Sequence, residues 1–279
     1  MGSKDLTEKI LEDYNDVFAD IVNVLLFNGE RRIKDTELES TKTISQYKSS
    51  ENTLHEEERD VSKFWKNCNV RIAMVGIENQ TQPEKQMPLR IYGYEGASYR
   101  EQLGNDYLYP VVTMILYFGT ERHWNHKKTL KEIIKIPKSL DKYVNDIKIN
   151  VFEIAWLSDE IIEKFTSDFK IVAKFFVEKR KNKDYIPNDK TVIQHVDALL
   201  KLLAAMTNDN RYEKILAEAE GKKVKNMCEV AERLEQQGRA EGRAEFIVSM
   251  LKSGKTPEQI ADFCNIDITY IKEVEQKLK

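Results

Sequence analysis

The chain has 279 residues, 41% hydrophobic and 33% charged, with a formal net charge of -3. That is room for one full-size domain with an appendage, and the near-neutral balance excludes nucleic-acid binding driven by bulk charge alone. No stretch approaches the ~18 consecutive apolar residues of a membrane span, and the opening MGSKDLTEKILEDY lacks an apolar signal core, so a cytoplasmic protein without a membrane partner is expected.

Residues 5–28 read as one helix, because Ile10, Tyr14, Val17, Phe18, Ile21, Val22, Leu25 and Leu26 recur at helical spacing before Asn28-Gly29. The polar stretch 33–50 predicts a short edge strand and then a mobile loop. Next come a strand opened by Asp60, a turn at Asn67-Cys68-Asn69 and a nearly pure apolar strand over 70–77. A hairpin centred on Cys68 sets Asp60 opposite Gly76 with Glu78 diagonal to it, and gives Gly76, Glu78 and Gln80 the face to which Asp60 points. Two carboxylates meeting there repel unless a cation lies between them, which points to a divalent metal site. The plainer alternative is a sheet edge where both acids reach solvent.

Pro83 and Pro88 bracket a loop, and 89–103 predicts a helix whose Gly93 and Gly96 allow close packing. The run 110–118 reads as a central buried strand and 149–157 as another. Ser158 caps a helix over 158–180, and a further helix covers 190–207. Two basic runs read equally as phosphate-contacting faces or as solvated helix faces: 122–135 with five Arg or Lys against one acid, and 170–183 with six against one. His123 and His126 flank Trp124 and read as a loop with two solvated imidazoles rather than a ligand pair. Cys68, Cys228 and Cys264 are odd in number and far apart, which fits a reducing compartment and gives no zinc pattern.

From about Arg211 the character changes. Residues 213–243 are charged and weakly heptad-like, and the tandem GRAEGRAE at 238–245 reads as a semi-flexible helical connector. Thr256-Pro257 then starts a short helix, Asn265-Ile266-Asp267 makes a turn, and 268–278 is the closing helix. This pair resembles a helix-turn-helix, but 256–279 carries five acids against three lysines, the wrong sign for phosphate contact. An interaction module that joins copies into a homo-oligomer through the C-terminal helices is the expectation.

Five separated blocks appear in the order of a known family. They are Phe18-Ala19-Asp20-Ile21-Val22-Asn23 with Leu25-Leu26-Phe27-Asn28-Gly29, then Arg59-Asp60, Gly76-Ile77-Glu78-Asn79-Gln80, Met87-Pro88-Leu89-Arg90 and Ser98-Tyr99. Over about 5–212 the chain resembles the PD-(D/E)XK nuclease superfamily, in its bacterial branch of transposase-like, recombination-promoting nucleases (Rpn), where the usual E-x-K is E-x-Q. The resemblance implies an α/β fold: a restriction-endonuclease-like mixed sheet flanked by helices over 1–210, a helical connector over 211–255 and a C-terminal module over 256–279. It also implies a bacterial Mg²⁺-dependent DNA endonuclease of recombination or mobile elements, with Mn²⁺ as a possible substitute. Asp60 and Glu78 would be metal ligands with the Asn79 carbonyl as an extra donor, and Gln80 would stand in the place of the superfamily lysine. Asp20 would be the helix-borne acid of the first motif, with Asp16 as its rival one turn earlier. Glutamine brings no charge, so Lys63 or Lys85 is a candidate to supply it. The competing expectations are a catalytically degenerate fold that binds DNA or protein, and a purely structural interaction protein.

Overall fold

The computed structural model describes residues 11–41, 44–48, 54–58, 61–77, 85–207, 209–218 and 224–277. It divides into two units, Met1–Pro187 with Ile193–Asp209, and Asn188–Val192 with Asn210–Lys279.

Helix α1 (Asn15–Leu25) is buried along Val17 to Val24. Leu11 and Glu12 are helical too, and the predicted helix is interrupted at Asp13-Tyr14, where Tyr14 takes extended backbone. The Lys63 ammonium explains the break: it donates to the Asp13 carbonyl at 2.7 Å, which a continuous helix would use itself. At the other end Asn28 and Gly29 adopt left-handed φ of 52° and 91°. The positive φ is what calls for glycine at 29, and a β-carbon there would also press on the Lys164 side chain at 2.9 Å.

The main sheet has five strands in the order β1 (Leu38–Ser40), β4 (Val61–Trp65), β5 (Val70–Ile77), β6 (Val111–Tyr117) and β7 (Asn150–Glu153). The first two pairings are antiparallel and the last two parallel, so the sheet is mixed. Helix α2 (Met87–Arg100) makes the β5–β6 crossover and covers one face, where Met87, Ile91 and Tyr94 pack with Ile115, Tyr117, Trp124 and Ile149. Helices α1 and α5 (Phe169–Lys181) cover the other: Lys63 lies over the Phe18 ring, and Phe118 meets Phe169 and Phe176. The expected α/β core with flanking helices and a helical extension is therefore what forms.

Four local expectations are corrected. Beyond β1 the chain forms a ribbon, β2 (Ile44–Lys48) antiparallel to β3 (Leu54–Glu58), where a loop was expected. The β4–β5 turn occupies four residues, 66–69, with Asn69 at φ 52°, so Val61 pairs with Met74 and the hairpin centre falls between Asn67 and Cys68. That is one residue off the Cys68-centred register, and a one-residue slip exchanges faces. Strand β7 ends at Glu153, because the next three residues coil into a 3₁₀ turn. Arg180 bonds the Ala155 carbonyl and the Trp156 indole bonds Gly119, partners a continuing strand would not meet.

The fourth correction concerns helices. After the short α3 (Leu130–Ile133), the expected helix over 158–180 is two, α4 (Asp159–Ile162) and α5, with Ser158 capping the first. The sequence offers three capping residues in a row, Thr166-Ser167-Asp168, and Asp20 takes the Thr166 and Ser167 N–H groups at 2.9 and 2.8 Å. Asp168 in turn takes the Gln194 and His195 N–H groups, so α6 (Val196–Thr207) starts six residues after its expected beginning.

In the second unit α7 (Arg211–Glu218) packs on α8 (Met227–Lys252), and α8 runs unbroken through Gly238 and Gly242. The end of α8 joins α9 (Pro257–Cys264) and α10 (Ile268–Gln276) around Ile247, Met250, Ile260, Ile271 and Val274. A Thr256–Gln259 capping box starts α9, and left-handed Asn265 ends it.

One buried amide holds the α1 exit. Asn23 donates to the Ile33 carbonyl at 2.8 Å and accepts from the Arg32 and Ile33 N–H groups at 2.9 Å. Asn23→Ala strands three backbone groups and should lower unfolding free energy by about 3 kcal/mol in a urea titration; a loss under about 1 kcal/mol would count against this anchor.

Candidate functional site

Strands β5, β6 and β7 run parallel, so their carboxyl ends share one edge of the sheet. Ile77 pairs with Tyr117, and Tyr117 with Glu153, in a row along that edge. Val61 pairs with Met74, which brings the start of antiparallel β4 to the same edge. Open α/β sheets bind ligands outside the carboxyl ends of their strands. The sequence candidates attach here: Glu78 follows Ile77 in the chain, and Asp60 precedes Val61. Asp60, Glu78, Asn79 and Gln80 lie outside the described residues. Their shared face was argued from the Cys68-centred hairpin, and that argument falls with its register.

The described part of the edge is aromatic and polar. Tyr117 donates its hydroxyl to the Arg122 carbonyl at 3.0 Å, and burial, partly offset by the Arg122 charge, raises its pKa above the ordinary 10.0. A β-carbon on Gly119 would strike the Tyr117 ring at 2.1 Å. Glu153 accepts from the Trp124 backbone N–H and faces His123 Nδ1 at 3.2 Å. His123 also stacks on Trp156, centroids 3.6 Å apart, and the Arg180 guanidinium sits 4.3 Å from the same ring.

His126 differs from its neighbour. It is half-buried, its Nε2 has no hydrogen-bond partner among the described residues, and its ring meets Trp124 edge to face at 5.6 Å. The pair of solvated imidazoles read from the sequence is thus one bonded and stacked histidine and one half-buried histidine. Burial holds His126 below its ordinary pKa of 6.5, and the nearby Arg122 and Lys85 charges push the same way.

The two helix-borne acids have different surroundings. Asp20 is 3% exposed, and its carboxylate accepts from both N–H groups and both hydroxyls of Thr166 and Ser167, and from Arg31. Five donors converge on its two oxygens, the geometry of a strut between α1 and the start of α5. Asp16 is 44% exposed and faces His195 Nε2 at 2.9 Å, while the His195 ring stacks on Tyr14 at 3.7 Å. The sequence reading did not foresee that pairing, since 179 residues separate the partners. Lys63 is closed as a catalytic cation: its ammonium is held by the Asp13 carbonyl, the Asp13 carboxylate and Ser40 Oγ at 2.7, 2.9 and 3.2 Å. Among the described residues no group of three or more His, Cys, Asp or Glu is placed to hold a metal ion, and no helix is long and apolar enough to cross a membrane.

The fold defines a class: an α/β protein with a mixed five-stranded sheet, helices on both faces and an all-helical extension. The chain belongs to the family described as "Putative transposase, YhgA-like", whose model matches residues 42–214. This family is the Rpn, PD-(D/E)XK-like transposase group, and membership carries a nuclease-like role associated with mobile elements. No curated protein and no solved structure matches the chain. The match takes in Asp60, Glu78, Asn79 and Gln80 but neither Asp16 nor Asp20.

Two outcomes follow from these surroundings. Asp20→Asn should cost about 3 kcal/mol, because it removes a buried charge from Arg31 and sets an amide N–H₂ against the Thr166 and Ser167 donors; a melt unchanged from wild type would rule out the strut. His126 binds its proton less readily folded than unfolded. Its contribution is therefore complete above pH 6.5 and is lost as pH falls through the lower folded pKa. Against His126→Gln, wild type should lose melting temperature on acidification below pH 6.5, and parallel pH profiles would refute this.

Proposed function

We propose that this protein is a metal-dependent DNA endonuclease of mobile elements, with its centre at the carboxyl edge of β5. The observation that carries the reading is the family match, which takes in Asp60, next in the chain to the start of β4, and Glu78-Asn79-Gln80, which follow the end of β5 in the chain. Asp60 and Glu78 offer carboxylate oxygens and Asn79 a backbone carbonyl, the hard donors that Mg²⁺ and Mn²⁺ take. Bound there, the ion supplies Lewis acidity to a water and to a non-bridging phosphate oxygen. The chain does the rest. Gln80 orients the attacking water through its amide but adds no charge. The run 122–135 begins just beyond β6 and offers cations to flanking phosphates; two lysines of each basic run are already paired, Lys127 and Lys131 with Glu132 and Asp141, and Lys170 and Lys181 with Glu163 and Glu178. The same proposal keeps the C-terminal helices as an assembly module rather than a DNA reader.

One observation favours a second reading, a degenerate nuclease fold that binds DNA or protein. Lys63, one of the two candidates to supply the missing lysine charge, is sequestered by Asp13 and Ser40. Plasmid nicking in Mg²⁺ or Mn²⁺ separates the two. Wild type should nick supercoiled DNA, and Asp60→Ala should not, although the apo protein keeps its melting temperature. Gln80→Lys should cleave as well or faster, and Gln80→Ala more slowly with DNA affinity intact. A folded wild type that neither cleaves nor gains melting temperature with metal would sink the endonuclease reading, and DNA binding without cleavage would leave the degenerate one.

A further inference from the structure

Buried polar side-chain atoms in folded proteins nearly always find a partner, so two that lack one in the same loop raise the question of what they bind. Trp124 Nε1 and His126 Nε2 are such atoms. Neither has a hydrogen-bond partner among the described residues, and Trp124 is only 8% exposed. The two rings meet edge to face, with planes 82° apart and centroids 5.6 Å apart.

The loop that carries them is pinned at both ends. At its start the Arg122 carbonyl accepts from the Tyr117 hydroxyl at 3.0 Å, and at its end the Lys128 carbonyl accepts from the Ile149 N–H at 2.9 Å. Between these points Glu153 holds the Trp124 backbone N–H, and the indole packs edge to face on Tyr117 at 5.5 Å. Tyr117 pairs with Ile77, so the loop leaves the same edge of the sheet as the chain that follows β5.

The chemistry of the ligand follows from what it would meet. An indole nitrogen only donates and offers no lone pair to a metal, and a neutral imidazole donates from Nε2 when its proton sits there. Arg122 and Lys85 lie near enough for their charges to act on His126, and the Arg122 side chain also reaches the Tyr117 hydroxyl. Two donors beside two cations suit an anion whose oxygens only accept, and a phosphodiester is such a group. A metal ion would be repelled, and a trapped water would satisfy the nitrogens but make no use of the positive charges. We propose that Trp124 and His126, with Arg122 and Lys85, hold one backbone phosphate of DNA beside the β5 edge. This deepens the nuclease reading and rests on it for the identity of the strand, although the phosphate itself is held without metal.

Indole N–H resonances of the full chain, recorded in EDTA without metal, test it, with Trp124→Phe assigning the signal of Trp124. Orthophosphate should shift that signal saturably, and acetate at the same ionic strength should not. A short DNA duplex should move the same signal and compete with orthophosphate. His126→Phe keeps a ring against Trp124 but removes the second donor, and it should weaken orthophosphate at least about tenfold in Kd. Lys85→Ala, at an exposed position, should weaken it in the same direction, whereas Asp60→Ala should bind as wild type does. A Trp124 signal that stays still, or that acetate moves as far, overturns the proposal, and so do His126 and Lys85 variants that both bind as tightly as wild type. A site that takes orthophosphate but ignores the duplex also overturns it, since its ligand would be a free phosphate. If the duplex engages Trp124 while metal-dependent nicking is absent, the endonuclease reading falls and the phosphate site stands.

Discussion

Burying a carboxylate costs several kcal/mol unless donors surround it, and that requirement shapes the first unit around Asp20. Its helix is apolar on nearly every side, so the charge cannot reach water and must draw donors from elsewhere in the chain. Thr166 and Ser167 supply both backbone and hydroxyl hydrogens, and Arg31 supplies the counter-charge. In doing so they break the polypeptide between α4 and α5 and set the direction in which α5 crosses the sheet. Asp168 repeats the arrangement one helix later with Gln194 and His195. Lys63 is its cationic counterpart, ending the first helical turn by taking the Asp13 carbonyl. Polar atoms that must be satisfied thus decide where helices stop, and the apolar faces decide only which way they turn.

The same economy explains the edge where function is placed. Parallel β5, β6 and β7 demand crossovers, and the crossovers leave their carboxyl ends together with loops free to carry chemistry. Family membership brings the nuclease-like role, and the edge supplies its surroundings: a buried tyrosine, a glutamate fixed by Trp124 and His123, and a histidine kept neutral by burial. Asp16, the more open of the two helix acids, pairs with His195 at the start of α6.

What the sequence disclosed and what it hid divide along the range of the interactions. The apolar runs of β5 and β6, the Ser158 and Thr256 caps and the left-handed Asn28-Gly29 stop are local, and each is readable from a few neighbouring residues. The break at Thr166–Ser167 is not, because its cause lies 146 residues away in Asp20, although three capping residues in a row were a warning. The late start of α6 has the same origin in Asp168. The hairpin register turned on a single residue: Asn69, in the left-handed region, extends the turn to four residues where Asn67-Cys68-Asn69 suggested three. Of the site, Asp60 and Glu78 came from a period-two hairpin argument whose register does not hold and again from the resemblance, whereas Asp20 came from the resemblance alone. No local pattern shows that Asp20 is spent on backbone donors or that Lys63 is buried under α1.

Helix α8 has a consequence for how the second unit holds together. Its 26 residues make a rod of about 39 Å, and among the described residues none between Leu234 and Ile247 is buried. Over that stretch the rod rests on its backbone hydrogen bonds and on surface ion pairs such as Glu241 with Lys214 of α7, and the two glycines weaken it. Fraying of α7 from one end therefore need not loosen the cluster around Ile260 and Ile271 at the other. The unit should open as two separate foldons, each with its own free energy of local unfolding, joined by a spacer that transmits distance but little stability.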